Sequence, residues 1–153
     1  MNQIISAELT VYGLDQSRLG LVGALAKAWG LSAIQRVSDY AISSWAGEVP
    51  LEDTNELVTS LIKLKNVYFE VITSDGLESV RRVYTPSLGL GSTTIDALGN
   101  SYIQEHRLRE LFREANMNMM KLQRQMEKEL LVPWNDEIES LLESSLSEAR
   151  AIA

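Results

Sequence analysis

Cysteine is absent from the 153 residues, histidine occurs once and proline three times. Without Cys there is no disulfide framework, thiolate zinc site, redox dithiol or Cys nucleophile, which fits a reducing compartment. A single His excludes a multi-histidine metal site and a second imidazole acid. Long apolar runs are missing too: Leu19 to Trp29 is broken by Gly20, Gly23 and Lys27, short of the roughly 20 residues of a membrane span. Residues Met1 to Glu8 carry neither the basic segment nor the apolar stretch of a secretory signal, so the expectation is a cytoplasmic chain without a membrane span. Basic residues are in deficit, 14 against 21 acids for a net charge of -7, which works against attraction to nucleic-acid or membrane phosphates.

What is present suits one domain over residues 1–153, since a chain of this length buries about 68–70% of its unfolded surface without a staple. Ile5, Ala7, Leu9 and Val11 alternate with Ser6, Glu8, Thr10 and Tyr12, the period of a half-buried strand. Gly13 ends it, Asp15 can cap a helix striped by Leu19, Val22, Leu25, Ala26 and Trp29, and Gly30 closes that helix. Ala33–Val37 and Tyr40–Trp45 read as strands joined at Ser38-Asp39, with a single bent strand as the rival. Asp53 and Glu56 have capping-box spacing before the ridge Leu57, Leu61, Ile62 and Leu64. Val67–Thr73 is a strand, and Ser74-Asp75-Gly76 turns the chain into a partner strand, Leu77–Tyr84. The order predicts an α+β fold: a ferredoxin-like β-α-β-β-α-β sheet with an extra hairpin over 1–84.

Residues 85–103 form a Gly/Ser/Thr-rich loop with short strands, one of them running to Ile95. From 104 to 153 a helical C-terminal extension is expected. Leu108, Leu111 and Phe112 make one stripe, and Met119, Leu122, Met126 and Leu130 make another that Pro133 stops. Asn135 can cap a last helix carrying Ile138, Leu141, Leu142 and Leu146.

Tyr84-Thr85-Pro86-Ser87-Leu88-Gly89, then Asp96, Gly99-Asn100, Glu105-x-Arg107-Leu108-Arg109 and Pro133-Trp134-Asn135-Asp136-Glu137, resemble in order and spacing the actinobacterial domain of unknown function 3145 family. With Trp45-Ala46-Gly47 and Phe69-Glu70-Val71 upstream, the similarity runs from about residue 4 to about 142. The resemblance implies a small cytoplasmic protein with no assigned reaction and a neighbourhood of fatty-acid synthesis genes. Two features are not carried over. The family's His/Cys stretch after the first strand is Leu14-Asp15-Gln16-Ser17-Arg18 here, and its aromatic, basic tail is replaced by an acidic amphipathic segment from Ser140 to Ala153.

Candidate sites are few. Gly89 and Gly91 with Ser92 could present backbone N–H groups to an anion, supplemented by Arg82 and by His106. That loop lacks the Gly-Lys-Ser/Thr of a P-loop and the strand-to-helix placement of a dinucleotide fingerprint. Structural glycines and a solvated His106 are the plain alternatives. No catalytic set, metal set or cofactor motif emerges: Ser87, Ser92 and Asp96 lack a nucleophile elbow, and Asp136, Glu137 and Glu139 read as helix-start acids. Arg107, Arg109 and Arg113, with Lys121, Arg124 and Lys128, are interleaved with Glu and read as an ion-paired surface, not a nucleic-acid face.

Four of the five Met fall between Met117 and Met126. Met117 and Met120, off the buried stripe, with Trp134, Leu141 and Leu142, are candidates for a partner or dimer surface. The expectation is a non-catalytic adaptor or regulatory protein that binds a protein partner, or a second copy, through its C-terminal helices and is linked to fatty-acid synthesis. The alternative is a protein binding a small acyl or phosphate ligand, or an enzyme, using the 85–94 loop.

Overall fold

The computed structural model describes residues 3–13, 16–34 and 42–152, with side chains throughout except at 16, 17 and 145–152. Strand β1 (Ile4–Tyr12) alternates as its sequence requires, burying Ile5, Ala7, Leu9 and Val11 on one face. It lies inside the sheet, antiparallel to β3 (Ile42–Pro50) on one side and β4 (Tyr68–Ser74) on the other. With β2 (Ser32–Ala33), β5 (Ser79–Thr85) and β6 (Gly89–Ile95), the sheet has six antiparallel strands in the order β2-β3-β1-β4-β5-β6.

Helices α1 (Gln16–Ala28) and α2 (Thr54–Ile62) cover the apolar face of β1. Val22, Ala26, Leu57, Val58 and Leu61 join Leu9, Trp45, Phe69 and Val71 in the larger core, with Leu19, Leu25 and Trp29 at its margin. This is the stripe the sequence predicts for α1, and Gly30 ends the helix at φ +85°. The opposite face carries α5 (Val132–Ile152), whose Trp134 and Ile138 form a second core with Val83 and Leu131. Helices α3 (Glu105–Ala115) and α4 (Met119–Glu129) make a hairpin around Leu111, Ala115 and Leu122. The expected helical extension is therefore two units, a hairpin with its own small core and a helix lying on the sheet.

Several expectations change. Ser32 and Ala33 pair with Ala46 and Trp45, so the two-strand reading holds over its bent-strand rival, but the second strand runs to Pro50, past the expected end at Trp45. The turn at Ser38-Asp39 and the Asp15 cap lie outside the described residues. Asp53 precedes α2 without a side-chain capping bond. Leu111 is buried but Phe112 is 54% exposed, because α3 meets α4 along the i, i+4 ridge of Leu111 and Ala115. Met119, placed on the buried stripe by its spacing, is 69% exposed: it is the first residue of α4, at the hairpin tip, and Leu122 and Met126 make the inward contacts.

The last helix begins at Val132, before its expected cap. Pro133 sits in the first turn, where a missing N–H removes no intrahelical bond. Leu131 makes the corner between α4 and α5 at φ +60°, an unfavourable conformation for a branched side chain, and its side chain is held in the second core. Asn135 is inside the helix, where its side chain serves β5 instead.

Candidate functional site

The two most distinctive sequence motifs meet. Thr85, fully buried at the end of β5, donates its hydroxyl to Glu137 Oε2 at 2.8 Å and accepts the Leu88 N–H at 3.2 Å. Ser87 donates to the same carboxylate at 2.7 Å, and the Trp134 indole N–H donates to the Gly89 carbonyl at 2.9 Å. Earlier on the same strand, Arg81 donates to Glu70 Oε1 on β4 at 2.6 Å and to Asn135 Oδ1 at 2.8 Å, while Tyr12 donates to Glu70 Oε2 at 2.7 Å. The turn between β5 and β6 and the first turns of α5 thus form a clamp. Its half-buried ion pair is satisfied on both partners, the condition under which a desolvated pair is tolerated.

Gly91 completes the clamp. A Cβ there would lie 2.6 Å from Leu131 Cδ2 and 2.9 Å from Trp134 Cε2, so only glycine lets the indole press onto the sheet. The segment expected as an anion-binding loop is instead the edge strand β6, with Gly91 under α5. Substituting Gly91→Val would disturb the packing of α5.

Beside this edge runs a cleft. A cavity of about 480 Å³ is lined by Leu88, Leu90, Gly91, Leu111, Leu131 and Trp134 with Gln125, Lys128 and Arg107. A second, of about 430 Å³, is lined by Thr93, Thr94, Tyr102, Gln104 and His106, and both share Ser92, Arg107 and Glu129. Consecutive strand residues point to opposite faces, so the first cavity, which touches Leu90, Gly91 and Ser92 in succession, lies along the strand's edge, whereas the second also touches Glu78 and Val80 and extends over the sheet toward β5.

Arg107 stands where the cavities join. Its Nε and Nη2 donate to Glu129 Oε1 at 2.9 and 2.6 Å, and its Nη1 donates to Glu110 at 2.9 Å and faces Glu114 at 3.5 Å. These carboxylates, Glu129 first, hold the guanidinium well above its ordinary value, and it ties α3 to the end of α4. Lys128 is exposed and has no ion pair among the described residues. Gln125 Oε1 is buried without a hydrogen-bond partner.

The predicted ligand residues are divided by the sheet. Arg82 and Ser92 are register partners, whereas Gly91, one position before Ser92, turns its face to α5. Arg82 reaches Thr73 at 3.4 Å, and His106, exposed in the first turn of α3, lines the second cavity. The predicted partner residues divide as well. Met117 and Met120 are 94% and 67% exposed, Leu141 and Leu142 are half-buried, and Leu142 packs on the second core. Trp134, at 7% exposure with its N–H bonded, is a packing anchor and corrects the partner-facing assignment. Gln125 was not singled out from the sequence, and nothing in its spacing marks it. Among the described residues no cluster of His, Asp and Glu could hold a metal ion, and no helix is long and apolar enough to cross a membrane.

The model of a family described as a protein of unknown function (DUF3145) matches residues 19–149. No curated protein and no solved structure matches the chain.

Proposed function

The chain belongs to the DUF3145 family, and from that premise we propose that it is a non-catalytic adaptor whose α3–α4 hairpin docks onto a partner protein. The carrying observation is that Phe112, Met117, Met119 and Met120 are 54%, 94%, 69% and 67% exposed on one short hairpin. Met is unbranched and polarizable, so a Met-rich tip adapts to a partner's contours. The flanking cations Arg113 and Arg124 are exposed and have no ion pair among the described residues. They favour an acidic rim on the partner.

The rest of the chain serves in this reading as a scaffold. We read β2-β3-β1-β4 with α1 and α2 as a ferredoxin-like β-α-β-β-α-β unit, to which β5 and β6 are added and α5 is clamped. The cytoplasmic setting belongs to the same proposal and is supported by the sequence composition and the family resemblance; the actinobacterial setting and a partner from fatty-acid synthesis rest on the resemblance alone. The test is a photo-crosslinking residue at position 120, compared with one at Leu77, which is 98% exposed in the β4–β5 turn. One protein captured from position 120 and not from 77 supports the reading; equal capture from both, or none, refutes it. Capture of a second copy would identify a homo-oligomer instead.

A small anionic ligand in the cleft is the second reading, favoured by cavities of ligand-site size beside Lys128 and His106. Thermal shifts with inorganic phosphate and with decanoate test it. Stabilisation that disappears in Lys128→Glu would support it.

A further inference from the structure

We propose a second binding surface, separate from the hairpin tip: the outer edge of β6 takes an extended peptide as a seventh strand, seating an apolar side chain against Leu88 and Leu90 and an acidic one beside Lys128.

An edge strand leaves alternate N–H and C=O groups unpaired, and proteins ordinarily protect such edges with Lys, Pro, a bulge or brevity. At the far edge β2 is protected by brevity, being two residues long. β6, reading Gly-Leu-Gly-Ser-Thr-Thr-Ile, has none of these devices over its seven residues; its cover is the α3–α4 hairpin, which stands off across the cleft. On its outer side the one backbone pairing among the described residues is the bridge of Ile95 with Ser101, which leaves Leu90 to Thr94 open. The first cavity lies along the start of that stretch, and the second adjoins it.

The walls select the occupant. Leu88 and Leu90 are 42% and 46% exposed on the lining of the first cavity, apolar surface for a side chain of an added strand, while Leu111, Leu131 and Trp134 behind them are buried. At the rim Lys128 is a cation free to pair with an acid, whereas Arg107 is already saturated by three carboxylates. A second copy fits poorly. Antiparallel edge pairing of two copies uses a two-fold axis normal to the sheet, so both α3–α4 hairpins would meet on one side of the seam. A single extended segment slides between β6 and the hairpin, with main-chain bonds giving affinity and alternate pockets giving specificity.

The test is selection of a phage library of random peptides on the full chain, followed by binding of the best-enriched synthetic peptide. The expected peptide alternates apolar residues and carries an acid. N-methylation of its alternate amides weakens it at least about tenfold, as loss of strand pairing requires. On binding, amide exchange slows at alternate positions between Leu90 and Thr94. Lys128→Glu weakens the peptide, while Met117→Glu/Met120→Glu leaves it unchanged, which separates this site from the hairpin reading. No enriched peptide, indifference to N-methylation, or protection confined to residues 117–120 would overturn the proposal.

Discussion

Replacing Gly91 with Ala adds one methyl group at the joint on which the second half of the molecule rests. The new Cβ would fall 2.6 Å from Leu131 Cδ2 and 2.9 Å from Trp134 Cε2, closer than real Cβ atoms come, and 3.0 Å from Trp134 Cζ2, at the tight limit of real contacts. The leucine methyl is the end of a flexible side chain and can retreat. The indole cannot retreat easily: it is rigid, 7% exposed, and pinned by its N–H bond to the Gly89 carbonyl on the same strand. Forcing a methylene into a packed core destabilises by about 1–3 kcal/mol. The smaller unfolded-state entropy of Ala offsets about 0.4–1 kcal/mol of this. The net loss should be about 1–2 kcal/mol, read as a lower urea midpoint at an unchanged slope. Trp134→Leu should relieve part of it, so the double variant would lose less than the two single losses added. A Gly91→Ala protein as stable as wild type, or a strictly additive double variant, would refute the packing described for β6 and α5.

Gly20 supplies the contrast: it is exposed in α1 with nothing within 4 Å of a Cβ, so Gly20→Ala should raise stability by about 0.5–1 kcal/mol in the same urea melts. Thr85→Val keeps the shape of a fully buried residue but removes the bond to Glu137 and strands the Leu88 N–H, and a loss of about 1.5–3 kcal/mol is expected. The Asp75 carboxylate is held below its ordinary value by the N–H groups of Glu78 and then Leu77. A depressed folded value means that its stabilisation is complete above the unfolded value of about 3.9 and is lost as pH falls through the lower folded value. Wild type should therefore exceed Asp75→Asn in urea midpoint at neutral pH, with the gap closing as pH is lowered below about 4; a gap that persists there contradicts the assignment.

Features fixed by local chemistry were legible in the sequence. The alternation of β1, the α1 stripe ended by Gly30 and the Asp75-Gly76 turn each depend on neighbours a few residues away, and each forms where expected. β6 was only partly legible, because Gly89-Leu90-Gly91-Ser92 has the composition of a loop. It is a strand since Gly91 makes room for Trp134, more than forty residues on. The same distance hid the clamp: no spacing rule joins Thr85 and Ser87 to Glu137, or Arg81 to Asn135. Helical period placed Leu122 and Met126 inward correctly. It failed for Met119, because period does not reveal where the facing helix ends. At the candidate surfaces, Met117 and Met120 were readable as surplus apolar residues. The cleft was not readable, since it arises where a sheet edge meets two helices.

The most direct test of the adaptor account is a tagged pull-down from the native cell at moderate and high salt, run in parallel with wild type and Met117→Glu/Met120→Glu, whose melting temperatures should match. The account predicts a stoichiometric, salt-resistant partner on wild type that is absent from the double variant. Equal recovery of that partner by both proteins, or no partner on wild type at either salt concentration, would contradict it.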